Sequence, residues 1–200
     1  MKIYLASNNK GKIEEIKKFF SNAEIITTNS LKEFQEPEEN GTTFEENSMI
    51  KAKALYNFIK NNIKKGDIII ADDSGIIIPL LGEDKLGVYT KRQMLSWTSE
   101  NNCDEKEFWK HIVNKVGEKA EAKFLAVISV IDCEGKEFSY TYTLDGTVVY
   151  PRGTNGFGFD SIFEYKGKTL AERTIEEKEK ISPRGKALEK VAKDFLVFNK

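Results

Sequence analysis

Residues 68–79 read IIIADDSGIIIP, two isoleucine runs separated by Asp72, Asp73, Ser74 and Gly75. An uninterrupted β-branched run bounded by turn formers predicts a strand buried on both faces, and such strands occur in sheets that helices cover on both sides. The run therefore points to an α/β fold. Within a buried strand a carboxylate without a partner costs several kcal/mol or neutralises. The pair Asp72 and Asp73 is accordingly expected at the exit of the strand, where a cation or a proton between them relieves their repulsion.

The rest of the chain fits that frame. KIYLAS predicts a first strand, and Ile13, Ile16, Phe19 and Phe20 share one face of a helix over 9–20. Thr43 and Glu46 have capping-box spacing, which starts a second helix running through Leu55 and Ile59 to a stop at Gly66. Helical spacing of Phe108, Ile112 and Val116 continues to Gly117. KFLAVISVID, the turn CEGK and EFSYTYTLDGTVV predict a long hairpin, and Ser182 to Phe198 an amphipathic closing helix through Ala187, Leu188, Val191 and Phe195. The expected architecture is a mixed, twisted α/β sheet with helices on both sides and a ligand at strand ends. No repeat or linker interrupts it, so residues 1–200 are expected to form one domain.

Bulk properties remove several function classes. Lys plus Arg number 31 against 32 Asp plus Glu, giving a net charge of −1, so no global positive field draws duplex nucleic acid or an anionic membrane. Cys103 and Cys133 lack metal-ligand spacing, and no stretch reads as a signal peptide or a membrane span. The expectation is a cytoplasmic protein without nucleic-acid or membrane partners.

Five local patterns carry chemistry. In the turn SNNKGK, residues 7–12, Lys10 and Lys12 oppose the positive end of a helix dipole, a penalty of about 0.3–1 kcal/mol that a bound anion would reverse. Free N–H groups, the Ser7 hydroxyl, Asn9 and a lysine together make a phosphate cradle, set against the alternative of a solvated cap. Thr43, Asn47 and Lys51 recur every four residues and form one polar stripe, preceded by Glu38 and Glu39 in a loop suited to a hard cation. At Asp72 and Asp73, one carboxylate can hold Mg²⁺ while the other takes a proton from water, with Ser74 and Gly75 allowing close backbone approach. A purely structural turn is the competing reading there. Gly158 and its neighbours would let Phe157 or Phe159 stack on a base whose edge meets Asp160; alternatively the turn tucks an aromatic into the core. Lys178 and Arg184 lie near a helix start with Pro183 in its first turn.

Taken in order, SNNKGK, GTTFEENSMIKAKA, ADDSG, GFGFD and AERTIEEKEKISPRGKAL resemble the inosine triphosphate pyrophosphatase family, also called Ham1-like, across nearly the whole chain. The resemblance implies an elongated two-lobed domain around a central cleft. It also implies a Mg²⁺-dependent homodimer that hydrolyses ITP, XTP or dITP to the monophosphate and pyrophosphate, cleansing the nucleotide pool. On this resemblance the turn Ser7, Asn8, Asn9, Lys10, Gly11 and Lys12 binds phosphate, as does Lys51, with Lys12 and Asp72 also in the catalytic group. Glu39, Asp72 and Asp73 hold the metal, Asp73 is the general base and Ser74 touches substrate. Phe157, Gly158, Phe159 and Asp160 take the base, and Lys178, Pro183 and Arg184 fall where the family reads the purine edge.

Two departures stand out. Pro183 replaces the histidine of the family's Ser-His-Arg, and proline offers neither a side-chain donor nor an N–H. GVYTKRQ, residues 87–93, differs from the family's Ser-Ala-Arg-Tyr run, with Arg92 still in register. A divergent nucleotide-binding protein with altered base preference or lost turnover is therefore the second expectation. His111 is expected at the surface or an interface, outside catalysis.

Overall fold

The computed structural model describes residues 1–82 and 85–196. Its elements are β1 (Lys2–Ala6), α1 (Lys10–Phe19), β2 (Glu24–Thr27), α2 (Phe44–Ile59), β3 (Ile68–Ile77), α3 (Thr90–Asn101), α4 (Glu105–Val116), β4 (Glu121–Asp132), β5 (Glu137–Val148), β6 (Phe163–Tyr165), β7 (Lys168–Thr169), α5 (Ile175–Ile181) and α6 (Pro183–Phe195). The sheet has strand order β2-β1-β3-β4-β5-β6-β7. β1 runs parallel to β2 and β3, while β6 is antiparallel to β5 and β7, so the sheet is mixed as expected.

The chain divides into two compact units. One comprises Met1–Asp73, Ala126–Tyr142 and Arg184–Lys200; the other comprises Ser74–Leu125 and Thr143–Pro183. In the first unit, side-chain alternation along β1 and β3 explains the layering. Ile3, Leu5, Ile68 and Ile70 pack with Ile13 and Ile16 of α1 and with Ala187, Leu188 and Val191 of α6. Tyr4, Ala6, Ile69 and Ala71 face the other way, against Ala52, Leu55 and Ile59 of α2. Helices thus cover both faces of this part of the sheet. The second unit is built around aromatic rings: Phe124 and Phe159 meet edge to face at 5.0 Å, and Trp109 lies 4.9 Å from Phe108.

Local signals account for the helix starts. Asn9 caps α1 by accepting the Lys12 N–H at 3.1 Å. Thr43 caps α2 by accepting the Glu46 N–H at 3.1 Å, and the Glu46 carboxylate accepts the Thr43 N–H at 3.1 Å, completing the expected box. Gly117 ends α4 with φ of +85°, and Pro183 opens α6 where its missing N–H costs nothing.

Three expectations need correction. α2 stops at Ile59, well before Gly66, because Asn62 N–H and Ile63 N–H both turn back onto the Ile59 carbonyl. The closing helix runs Pro183–Phe195 rather than from Ser182, and Val197 and Phe198 lie outside the described residues. Most consequentially, β3 does not end at the aspartates but continues to Ile77. What ends there is its parallel ladder with β1, whose last pair is Ala6 with Ala71.

One buried group has no role in this packing. Ser129 is fully buried, its N–H donates to Ser48 Oγ at 3.2 Å, and its own hydroxyl meets no partner among the described residues. Ser129→Ala should leave the urea midpoint unchanged or raise it, because an unsatisfied buried hydroxyl costs about 1–3 kcal/mol. A midpoint lowered by more than the scatter of repeat titrations would refute this.

Candidate active site

The first unit gathers most of the singled-out charged residues just past the end of the β1–β3 ladder. Asp72 is 1 % exposed and lies between two cations. Its Oδ1 faces the Lys12 ammonium, and its Oδ2 accepts the Arg184 Nε–H at 2.7 Å. Burial raises its carboxyl, but Arg184 and Lys12 outweigh that and hold it far below the ordinary carboxylate range. That compensation is why a strand can continue through an aspartate.

Asp73 has a different setting. The Lys51 ammonium lies 3.2 Å from Asp73 Oδ1, 3.2 Å from Glu39 Oε2 and 2.9 Å from the Asp72 carbonyl. Burial pushes the Asp73 carboxyl up, and the attraction of Lys51 and Lys12 does not fully offset it. Adjacent aspartates are thus driven in opposite directions, an arrangement that separates an always-charged anchor from a carboxylate able to exchange a proton. Burial lowers Lys12 despite Asp72, whereas Asp73 and Glu39 hold Lys51 above its usual value against its burial.

The neighbouring candidates divide. Ser7 is buried, its Oγ accepting the Asn9 N–H at 3.2 Å, and Gly11 is half-buried in α1. Lys10 is exposed. Asn8 donates to Glu36 at 2.8 Å and accepts from Thr28 at 2.9 Å, so it ties the turn to a neighbouring loop. Asn47, expected on the polar stripe, is 1 % exposed and accepts the Gly41 N–H at 2.8 Å. A Cβ on Gly41 would come 2.7 Å from Asn47 Oδ1, so glycine allows the contact that fastens the loop carrying Glu39.

Four carboxylates (Glu15, Glu39, Asp72, Asp73) here face three cations (Lys12, Lys51, Arg184). Glu39 and Asp73 are hard oxygen donors joined through one ammonium, and the surplus is negative. A small divalent cation held by one or two carboxylates, with waters and phosphates completing its shell, fits this donor set. No cluster of three or more metal-ligating side chains occurs among the described residues. The oxygens of Asp72 face Lys12 and Arg184, which suits an anchor better than a metal ligand.

The second unit holds the other candidates. Gly156 has φ of +76°, and a Cβ there would sit 2.1 Å from Asp160 Oδ2. That tight turn lets Asp160, 3 % exposed, accept the Phe157 N–H at 2.8 Å and the Lys178 ammonium at 2.5 Å. Lys178 also lies 4.8 Å from the centre of the Phe157 ring. The two phenylalanines, both half-buried, differ in their neighbours: Phe159 packs among Trp109, Phe124 and Phe163, while Phe157 lies under the lysine. Gly158 and Ser74 are half-buried and Pro183 is buried. His111 is exposed and stacks on Trp97 at 4.9 Å. Arg92 stacks on Tyr89 at 5.1 Å.

Sequence reasoning does not single out Glu15 or Gly41. Glu15 is half-buried and accepts Arg184 Nη1–H at 2.5 Å across 169 residues, a pairing that no local pattern signals. Gly41 stands inside the GTTFEEN motif, and its position six residues before Asn47 is the only hint.

The fold and the cluster define a mixed, open-sheet α/β protein with a buried lysine–carboxylate group at the end of a parallel ladder. The chain belongs to the Ham1 family, whose model matches residues 3–194. It is 37% identical over 203 residues to the dITP/XTP pyrophosphatase of Campylobacter jejuni, covering 100% of both chains. It is 39% identical over 194 residues to that of Nautilia profundicola, covering 94% of each. Among solved structures, the Ham1 protein of Staphylococcus aureus superposes with a TM-score of 0.78 at 31% identity over 100% of both chains. No helix among the described residues is long and apolar enough to cross a membrane.

Proposed function

We propose that the protein is a nucleoside triphosphate pyrophosphatase that hydrolyses dITP, XTP and ITP to the monophosphate and pyrophosphate. The observation that carries this reading is the Lys12–Asp72 and Lys51–Asp73 arrangement, within a chain that matches dITP/XTP pyrophosphatases along its full length. Lys12 and Lys51 neutralise the triphosphate. Asp72 keeps Lys12 charged and in place. Asp73 accepts the proton of the water that attacks the α-phosphorus, and the charge of the departing pyrophosphate is met by the lysines. Mg²⁺, held by Glu39 and Asp73, supplies further neutralisation of phosphate oxygens when bound. The family resemblance assigns the base to Phe157, Asp160 and Lys178 of the second unit. This reading treats residues 1–200 as one domain and includes a homodimer; a monomeric mass by light scattering would remove the dimer from it.

The direct test is pyrophosphate release from ITP, XTP, dITP, ATP and GTP at matched concentrations with Mg²⁺, then with EDTA. Preferential release from ITP, XTP or dITP that stops with EDTA is expected. A folded protein that binds nucleotide but releases nothing would instead favour the non-hydrolytic binding module. In the same assay Pro183→His should sharpen the preference for ITP over ATP, because it restores a side-chain donor at the opening of α6. An unchanged ratio would locate base selectivity elsewhere.

A further inference from the structure

Lys12 and Glu15 stand three residues apart on α1, a spacing that sets them on one face. Their ion-pair partners are Asp72 of β3 and Arg184 of α6. Asp72 and Arg184 in turn hold each other, so the side chains form an alternating row: Glu15, Arg184, Asp72, Lys12. The centre of the row is buried and its ends half-buried, with side-chain exposure of 12% at Glu15, 4% at Arg184, 0% at Asp72 and 12% at Lys12.

We propose that Glu15 is a positioning residue: by holding one arm of Arg184 it fixes Asp72 and, through Asp72, the Lys12 ammonium. That Lys12 then serves the triphosphate rests on the function proposed above; the positioning itself does not.

The physical case is one of competition. A guanidinium does not shed its proton in proteins, so buried Arg184 needs anionic acceptors. The structure supplies Glu15 at 2.5 Å from Nη1 and Asp72 at 2.7 Å from Nε. With Glu15 neutral, Asp72 becomes the main counter-charge of this row for both cations. A guanidinium binds a carboxylate strongly, so Arg184 would compete with Lys12 for the Asp72 carboxylate. Lys12 would lose hold of its carboxylate anchor and keep the weaker contact with the Asp72 carbonyl at 3.4 Å, although its ion pair is with Asp72 and not with Glu15.

The test uses Glu15→Gln, which keeps the shape and removes the charge, and Glu15→Asp, which keeps the charge. Competitive acetylation of the folded full-length chain with acetic anhydride, read by mass spectrometry, compares Lys12 with Lys53, whose side chain is 50% exposed. Labelling of Lys12 relative to Lys53 should rise at least about fivefold in Glu15→Gln and return toward wild type in Glu15→Asp, since a loosened amine gains access. In the pyrophosphate assay Glu15→Gln should lower kcat for ITP about tenfold with KM within about threefold, the pattern of a lost transition-state contact. Unchanged Lys12 labelling in a folded Glu15→Gln would overturn the proposal. So would a shifted ITP-to-ATP ratio at unchanged kcat, because Arg184 would then be reading the purine. If Glu15→Gln does not fold, Glu15→Asp decides: wild-type labelling and kcat support a role of the charge, and wild-type kcat with freely labelled Lys12 sinks it. A wild type that releases no pyrophosphate would end the functional reading, while the labelling comparison would still decide the positioning.

Discussion

Asp73→Asn is expected to lower pyrophosphate release from ITP by about 10²–10⁴-fold, the usual contribution of a positioned general base. The fold should survive. Burial already disfavours the charged form of Asp73, so replacing it with a neutral group of the same shape removes an unfavourable ionisation. Lys51 retains Glu39 at 3.2 Å and the Asp72 carbonyl at 2.9 Å, so it is not stranded. Turnover of ITP and the urea midpoint, measured on the same preparation, separate the two effects. Full turnover in Asp73→Asn would end the general-base assignment, and loss of the fold would show that the residue is structural.

Asp72→Ala should fail in the opposite manner. It strips the central anion from two buried cations, and breaking a buried pair by removing one partner costs about 3–5 kcal/mol. The effect depends on pH with a definite sign. The folded-state carboxyl of Asp72 is held far below its unfolded value of about 3.9, so its contribution is fully present above that value and disappears as pH falls below it. Asp73, raised in the folded state, acts in the reverse sense, and an Asp73→Asn background isolates the Asp72 contribution. Urea denaturation at pH 7 and at pH 3 should therefore show a stability gap between chains with and without Asp72→Ala that narrows in acid. A gap independent of pH would mean that lost packing, and not the charge, explains the cost.

Both predictions turn on Asp72 and Asp73, and these are also where the sequence is least complete as a guide. Their adjacency and their acidity are plain in it, and so is the need for nearby cations. The expectation that the strand must end there comes from weighing the charges without their partners. Arg184 lies 112 residues away, and nothing in local periodicity announces that it will meet Asp72. The same holds for Glu15 and Arg184, and for the difference between Phe157 and Phe159, which share a motif but not an environment. β2, four residues long at the edge of the sheet, is too short to show a pattern of its own.

The sequence by itself determined the elements whose causes are local. The Thr43–Glu46 box, the Gly117 stop, the isoleucine runs and the family motifs are all written within a few residues of where they act. Tertiary structure alone decided which charges neutralise which. Ion pairing in a buried site depends on distance and desolvation across elements far apart in the chain, and only the packing of α1, β3 and α6 brings Glu15, Arg184, Asp72 and Lys12 into one row.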